Sequence, residues 1–264
     1  MAIKHPYLLF LGDAHDQLAA KTADGVAFWR SEWCLGQFRL PGCKADLKLP
    51  DMSVEAAAAA GAKTLVVGVA NRGGVVAESW IPVLTRSLER GLDLAAGLHR
   101  RLADVPALKA TAERLGRSIF DVRHPTQEFH VASGKPRSGK RLLTVGTDCS
   151  IGKMFTSLAL ERELRKRGAK ADFRATGQTG ILIAGEGVSV DAVVADFISG
   201  ATEWLAPAND EDHWDLIEGQ GSLFHASYAG VSLGLLHGAQ PTAIVMCQTQ
   251  EQAPSSDPAQ ARTC

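Results

Sequence analysis

The stretch VGTDCSIGKMF, residues 145 to 155, sets Gly146 and Gly152 around five residues and follows them with Lys153. Between a strand and a helix, such a loop aims backbone N–H groups and the positive end of the helix dipole at a phosphate, and the lysine adds a full charge. The cradle comprises Gly146, Thr147, Asp148, Cys149, Ser150, Ile151, Gly152, Lys153 and Met154. Two features depart from the usual nucleotide loop. The G-x5-G-K spacing is one residue longer than G-x4-G-K, and Met154 stands where a Ser or Thr normally holds magnesium. Either the loop serves a nucleotide with magnesium supplied through Thr156 or Glu218, or it holds another phosphate-bearing molecule without a metal.

A second group of residues converges on the same end of a sheet. HWDLIEGQGSL reads as a buried strand, Trp214 to Ile217, ending at Glu218 and the flexible Gly219, Gln220, Gly221. A carboxylate at a strand's carboxyl end lies where open α/β sheets bind ligands. It can act as a base, reach magnesium through water, or be satisfied structurally by loop N–H groups. KADFRAT delivers Arg174 into TGQTG, where Gln178 and Thr179 sit between glycines in a ligand-touching loop. In MFTSLALERELRKRGAK the pairs Glu161/Arg165 and Glu163/Arg167 are spaced i,i+4, and the run Arg165 to Arg167 reads as a solvated helix end. Lys153, facing a phosphate, is expected to pack little.

These residues need strands to carry them and helices to cover the strands. Short β-rich runs alternate with helical patterns, the text of a mostly parallel sheet. Strands are expected at 7–12, 64–70, 92–97 and 119–122, then at RLLTVG, KADFRAT, Trp214–Ile217 and TAIVMC. SVEAAAAAGAK has Ser53 as N-cap and Gly61 as stop, and SWIPVLTRSLERG has Ser79 as cap, Ile81, Leu84 and Leu88 on one face and Gly91 as stop. GVSVDAVVADFISGATEWL puts Val190, Val193, Val194, Phe197, Ala201 and Trp204 on one helical face, with Asp196 solvated opposite. RHPTQEFHVASGKPRSGKR, residues 123–141, lacks periodicity and separates two domains, 1–130 and 131–264.

The bulk numbers narrow the partner. The 264 residues carry 28 basic and 29 acidic side chains, a balance that singles out neither nucleic acid nor an anionic membrane. A small molecule is the default. The apolar run Tyr7 to Leu11 is too short for a signal-peptide core or a span. Five cysteines, Cys34, Cys43, Cys149, Cys247 and Cys264, show no C-x-x-C pair, which points to reduced thiols in a cytoplasmic protein without a structural metal.

RLLTVGTDCSIGKM, DFRATGQTGILIAGEGVSVDAVVADFISG, WDLIEGQGSLFH and GVSLGLLHGAQP together resemble the bacterial D-glutamate N-acetyltransferase family. PYLLFLGD, WCLGQFRLPGCKADLKLP, GAKTLVVGVANRGG, IPVL and FDVRHPT in the first half agree, so the resemblance covers residues 3 to 247. It implies a Rossmann-like amino-terminal domain joined to a P-loop domain, with acetyl-CoA as co-substrate and D-glutamate as acceptor; a homo-oligomer is expected besides. Coenzyme A carries a pyrophosphate and a 3′-phosphate that a backbone cradle plus Lys153 can bind without a metal. Acyl transfer needs a base and oxyanion donors. Glu218 and His225 are the acid–base candidates, with His99 a weaker one, and the glycine loops could supply backbone donors. Arg39, Arg72 and Arg174 suit the carboxylates of glutamate, Arg72 best because NRGG follows a strand. The P-loop half is also similar to dethiobiotin synthetase, which leaves an ATP- and magnesium-dependent ligase or carboxylase as the alternative. After Cys247 the chain reads QTQEQAPSSDPAQARTC, polar and without element signals where the family continues with strands and helices. This reads as a frameshift or truncation that exposes one flank of the sheet and allows an inactive remnant as a further alternative.

Overall fold

The computed structural model describes residues 2–70 and 72–248, which divide into two compact units. The first takes the residues up to Thr126 together with Ile181–Ser189, and the second takes Gln127–Gly180 with the described residues from Val190 onward. The tail, read from sequence as a stray continuation, lies outside the described residues apart from Gln248. No helix among the described residues is long and apolar enough to cross a membrane.

The first unit alternates strands and helices: β1 (Tyr7–Gly12), α1 (Lys21–Trp29), β2 (Cys34–Arg39), α2 (Val54–Ala59), β3 (Thr64–Val67), α3 (Ile81–Glu89), β4 (Asp93–Ala96), α4 (Pro106–Leu115) and β5 (Ile119–Asp121). The strands form one parallel sheet in the order β2-β1-β3-β4-β5. Covering both faces of a parallel sheet demands apolar residues without alternation, and every residue of YLLFLG is buried. On one face Leu8, Phe10, Leu65, Val67, Leu94 and Ala96 pack with Val54 and Ala57 of α2, Leu84 and Leu88 of α3, and Leu108 and Ala112 of α4.

Ser53 caps α2 as expected, its Oγ accepting from Ala56 N at 3.1 Å. Ser79 does not cap α3. A 3-10 turn, Glu78–Trp80, leads straight into the helix, and Pro82 in its first turn needs no donor partner there. The edge strand β2 and helix α1 were not foreseen. CLGQFR is only partly covered, so its residues carry neither a buried run nor a clean alternation.

The second unit contains β6 (Lys140–Gly146), α5 (Lys153–Lys166), β7 (Ala171–Arg174), the start of α6 (Gln178–Ala184), α7 (Ala195–Leu205), β8 (Trp214–Ile217), α8 (Ala229–Ala239) and β9 (Ala243–Cys247). Its parallel sheet runs β7-β8-β6-β9. Leu142, Ala171 and Leu216 pack against Leu160 and Leu164 of α5. The free edge of β7 is closed by side chains: Glu161 Oε1 accepts from Phe173 N at 3.1 Å, and Arg165 Nε donates to Ala171 O at 2.6 Å. Both expected i,i+4 pairs form, Arg165–Glu161 at 3.0 Å and Arg167–Glu163 at 2.7 Å.

The helical face expected between Val190 and Trp204 is corrected. A 3-10 turn, Val190–Ala192, and an extended Val194 precede α7, which buries Ile198, Ala201, Thr202 and Leu205. Val194 and Trp204 are exposed. Counting a single helical period through the break at Val194 rotates the face away from the core. Asp196 is exposed, as its position suggested.

Candidate functional site

The strand β6 ends at Gly146, the chain turns through residues 147–152, and α5 opens at Lys153. Gly152 occupies the N-cap with φ 91°, and no side chain caps the helix. The first-turn N–H groups therefore have no intrahelical acceptor, the arrangement that attracts an anion. Ser150 has φ 56°, an uncommon left-handed turn for a non-glycine residue within the lengthened loop. The loop is tied to β9 at its start and braced within itself. Thr147 N donates to Cys247 O of β9 at 3.1 Å, and Asp148 Oδ1 accepts from Cys149 N at 2.7 Å.

Lys153 is 7% exposed, and its Nζ donates to Asp148 O at 2.8 Å. Its Cδ lies 3.1 Å and 3.2 Å from where side chains on Gly146 and Gly219 would begin, so the stem is packed between the two loops. The expectation that this lysine packs little is corrected: its stem fills the space between the loops that follow β6 and β8, which glycines leave open. Burial lowers its pKa, and the nearby Cys149, Cys247, Asp148 and Glu218 oppose that shift. Met154 sits half-buried in the first turn of α5. The hydroxyls nearby have protein partners: Thr144 Oγ1 and Ser157 Oγ are 3.0 Å apart, and Thr156 Oγ1 accepts from Cys247 Sγ at 3.4 Å.

Glu218 follows β8 directly and is 3% exposed. Its Oε2 accepts from Thr176 N at 2.8 Å and Gly177 N at 3.1 Å, and its Oε1 accepts from Gln220 Nε2 at 3.0 Å. Burial pushes its pKa up to about 7, against the opposing pull of those donors and of Lys153. Gly180 makes room for the carboxylate, because a side chain there would begin 2.3 Å from Oε2. A carboxyl group titrating near neutrality can accept and return a proton at physiological pH. Gln220, half-buried, holds the oxygen that the backbone donors leave open.

The segment after Glu218 lies against the phosphate loop. Ser222 Oγ donates to Thr147 O at 3.0 Å, and Leu223 N donates to Gly146 O at 2.9 Å. His225 belongs to this segment but is exposed. Its Nδ1 accepts from Ser227 N at 3.2 Å, which places a neutral ring's proton on Nε2, and its ring tilts over Tyr228 at 4.7 Å. The partners of His225 among the described residues, Ser222, Ser227, Tyr228 and Ala229, are all its neighbours in sequence.

The arginines expected to meet a dicarboxylate are placed differently from one another. Arg174 Nε donates to the buried Asp215 at 2.7 Å, with His213 Nε2 3.5 Å from the same carboxylate. Arg39, in the first unit, forks onto both oxygens of Asp51, through Nε at 2.8 Å and through its second nitrogen. Both guanidinium groups are committed to protein carboxylates. Arg72 opens a 3-10 turn, Arg72–Gly74, after β3, and its side chain lies outside the described residues. Gln178 and Thr179, half-buried, open α6 beside the Gly177 N–H that holds Glu218.

Sequence reasoning gave no role to Thr144, Thr176, Gln220 and Ser222. Thr144 Oγ1 accepts from Gly219 N at 2.9 Å, which ties the loop after β8 to β6. Their only available signal was proximity in the text to the glycine loops, since single hydroxyl and amide residues have no spacing rule. The donor set fits a phosphate group: uncapped helix N–H groups and a buried lysine. Among the described residues no group of three or more His, Cys, Asp or Glu side chains could hold a metal ion.

Comparison with known proteins agrees with this arrangement. Residues 130–260 match a family described as a domain of unknown function, the P-loop domain of DUF1611, and residues 38–125 match its Rossmann-like domain. A D-glutamate N-acetyltransferase of Tritonibacter scottomollicae is 59% identical over 245 residues, covering 93% of this chain and 74% of that protein. A protein of the same name from a Pseudoalteromonas species is 51% identical over 247 residues, covering 94% and 74%. The crystal structure of a DUF1611 family protein from Anabaena variabilis matches with a TM-score of 0.78 at 34% identity, covering 92% of this chain and 74% of that one. With both domains matched and most of its length aligned to these relatives, the chain belongs to the DUF1611 family of D-glutamate N-acetyltransferases.

Proposed function

We propose that this chain transfers the acetyl group of acetyl-CoA to the amino group of D-glutamate. Two relatives are named D-glutamate N-acetyltransferase, and an N-acetyltransferase requires an acyl donor, for which acetyl-CoA is the reading adopted. The observation that carries the reading is Glu218: a buried carboxyl group beside the phosphate loop, with its pKa raised to about 7.

Lys153 and the uncapped start of α5 would hold a phosphate of the coenzyme, a role that needs no magnesium hydroxyl and makes Met154 compatible with the site. The amine lone pair attacks the thioester carbonyl carbon, forming C–N while the carbonyl electrons move to oxygen. The tetrahedral adduct re-forms its carbonyl as C–S breaks, and the coenzyme leaves as thiol once its sulfur is protonated. Glu218 would take the proton lost by the amine and return it to the sulfur, after Gln220 moves off Oε1. Backbone N–H groups of the glycine loops are the available donors to the developing oxyanion.

Thiol release should accompany addition of acetyl-CoA and D-glutamate in the presence of a chelator, with L-glutamate as control. Consumption of ATP that requires magnesium, with no thiol released, would replace this reading with the ligase alternative.

A further inference from the structure

The two oxygens of the Glu218 carboxyl group are served by different kinds of donor. Oε2 accepts from two backbone N–H groups, Thr176 N at 2.8 Å and Gly177 N at 3.1 Å, while Oε1 accepts from a side chain, Gln220 Nε2 at 3.0 Å. A backbone N–H can only donate. When the carboxyl is neutral its proton therefore belongs on Oε1, because a proton on Oε2 would face two N–H groups. There it meets the amide of Gln220. A primary amide suits both states of the acid, since half a turn about its last bond exchanges the NH2 donor for the C=O acceptor.

The surroundings fix the backbone of Gln220 and leave its amide free to turn. Gly219 N donates to Thr144 Oγ1 at 2.9 Å, Ser232 Oγ donates to Gln220 O at 2.8 Å, and Ser222 Oγ donates to Thr147 O at 3.0 Å. The chain is thus tied to β6, α8 and the phosphate loop within two residues of Gln220. Its side chain is half-buried, and the bond to Glu218 is the one that holds its amide among the described residues. Gly177 makes the place for that amide, because a side chain there would begin 2.4 Å from Gln220 Nε2 and 3.3 Å from Glu218 Oε1. Few charges compete for the carboxyl. Lys153 of α5 faces it, backed by Asp148 and Cys149 of the loop and Cys247 of β9. Arg174 of β7 is held by Asp215, residues 175–180 carry no titratable side chain, and His225 is exposed.

We infer that Gln220 is the positioning residue for Glu218, turning its amide with the state of that carboxyl: nitrogen toward the carboxylate, oxygen toward the carboxylic acid. One proton moves between Oε1 and substrate or solvent, and no other covalent bond is made or broken. The same rotation lifts Nε2 from Oε1, the movement that the proposed proton transfer needs. As a device for catalysis the inference rests on the acid–base role proposed for Glu218; as a response of the amide to a titrating carboxyl it does not.

The test is infrared difference spectroscopy of the full chain titrated from pH 5 to pH 9. The carboxyl band of Glu218, identified by its loss in Glu218→Gln, should fade with a midpoint of about 7. The side-chain carbonyl band of Gln220, identified by its loss in Gln220→Leu, should move to higher frequency at the same midpoint, as it gives up the acid proton. In Gln220→Leu the carboxylate loses a charge-assisted donor, so the midpoint should rise by about one pH unit or more. The acid's O–H loses its acceptor too, so its carboxyl band should lie at higher frequency than in the unmodified chain. Gly177→Ala keeps the glutamine but displaces its amide, and should raise the midpoint in the same direction. A Glu218 that does not titrate in this range, a Gln220 band indifferent to its titration, or an unchanged midpoint in both variants would overturn the inference. Coupled bands in a chain that releases no thiol from acetyl-CoA and D-glutamate would support the turning amide and sink the proposed reaction instead.

Discussion

The two parallel sheets of this protein have different interiors. In the Rossmann-like unit the central strands meet their helices through hydrocarbon, with Leu8, Phe10, Leu65, Val67 and Leu94 facing Leu84, Leu88 and Leu108. In the P-loop unit the buried set includes Thr144, Lys153, Ser157, Glu161, Thr176, Asp215, Glu218, Ser222 and Ser232. Its apolar cluster on Leu142, Ala171 and Leu216 is smaller. Hydrocarbon packing is judged by volume, whereas each buried polar group costs free energy unless its partner is in place. The second unit therefore carries groups that hydrophobic burial alone would not have placed there: Thr144, Lys153, Glu218 and Ser222 bind the loops after β6 and β8, while Glu161 and Asp215 hold Arg165 and Arg174.

The largest expected effect tests whether that polar interior is for chemistry. Glu218→Gln should keep the contacts to Thr176 and Gly177 yet lower kcat/KM about 10²- to 10⁴-fold, the usual range for losing a general acid–base group. The same variant has a stability signature. Because the folded pKa, about 7, lies above the ordinary 4.5, the neutral carboxyl's contribution is full below pH 4.5 and is lost as pH rises through 7. That loss is on the order of 3 kcal/mol and should be absent from Glu218→Gln. Denaturant unfolding of both proteins at pH 5 and pH 8 reads it directly, and a parallel response to pH would show that Glu218 does not titrate as described.

Next comes the hydrocarbon side of the comparison. Leu65→Ala, at a fully buried position, should cost about 2–5 kcal/mol by urea unfolding, and Leu142→Ala, in the smaller cluster, should cost less. The reverse order would mean that the P-loop unit depends on its few apolar contacts more than its polar network suggests. Lys153→Met keeps the packed stem and removes the charge, so acetyl-CoA affinity should fall about 10- to 100-fold in titrations while the melting temperature stays close to that of the unmodified chain. Lys153→Ala should in addition destabilise the loop, a difference that separates charge from packing. Smallest is Ser53→Ala, which removes the cap of α2 and should cost about 1 kcal/mol in thermal unfolding without altering turnover.

Much of the architecture was legible in the text because parallel strands covered on both faces must be written as apolar runs. YLLFLG matches β1 from Tyr7 to Gly12, and Trp214–Ile217 matches β8 residue for residue. The glycine loop with Lys153, the Ser53 cap and the Glu161 and Glu163 pairs are local in sequence, with geometry decided within a turn or two of chain. Residues whose meaning depends on a distant partner were not legible in this way. Arg39 and Arg174 looked suited to a substrate until Asp51 and Asp215 took their guanidinium groups, and the α7 face shifted because Val194 interrupts the helical count. By itself, the sequence determined the two α/β sheets, the phosphate loop and the family, since these depend on short-range periodicity and on contiguous motifs. Only the tertiary structure decided that Glu218 would be enclosed by Thr176, Gly177 and Gln220 and lifted toward neutrality, because desolvation depends on every element that closes over a group, and no local spacing encodes it.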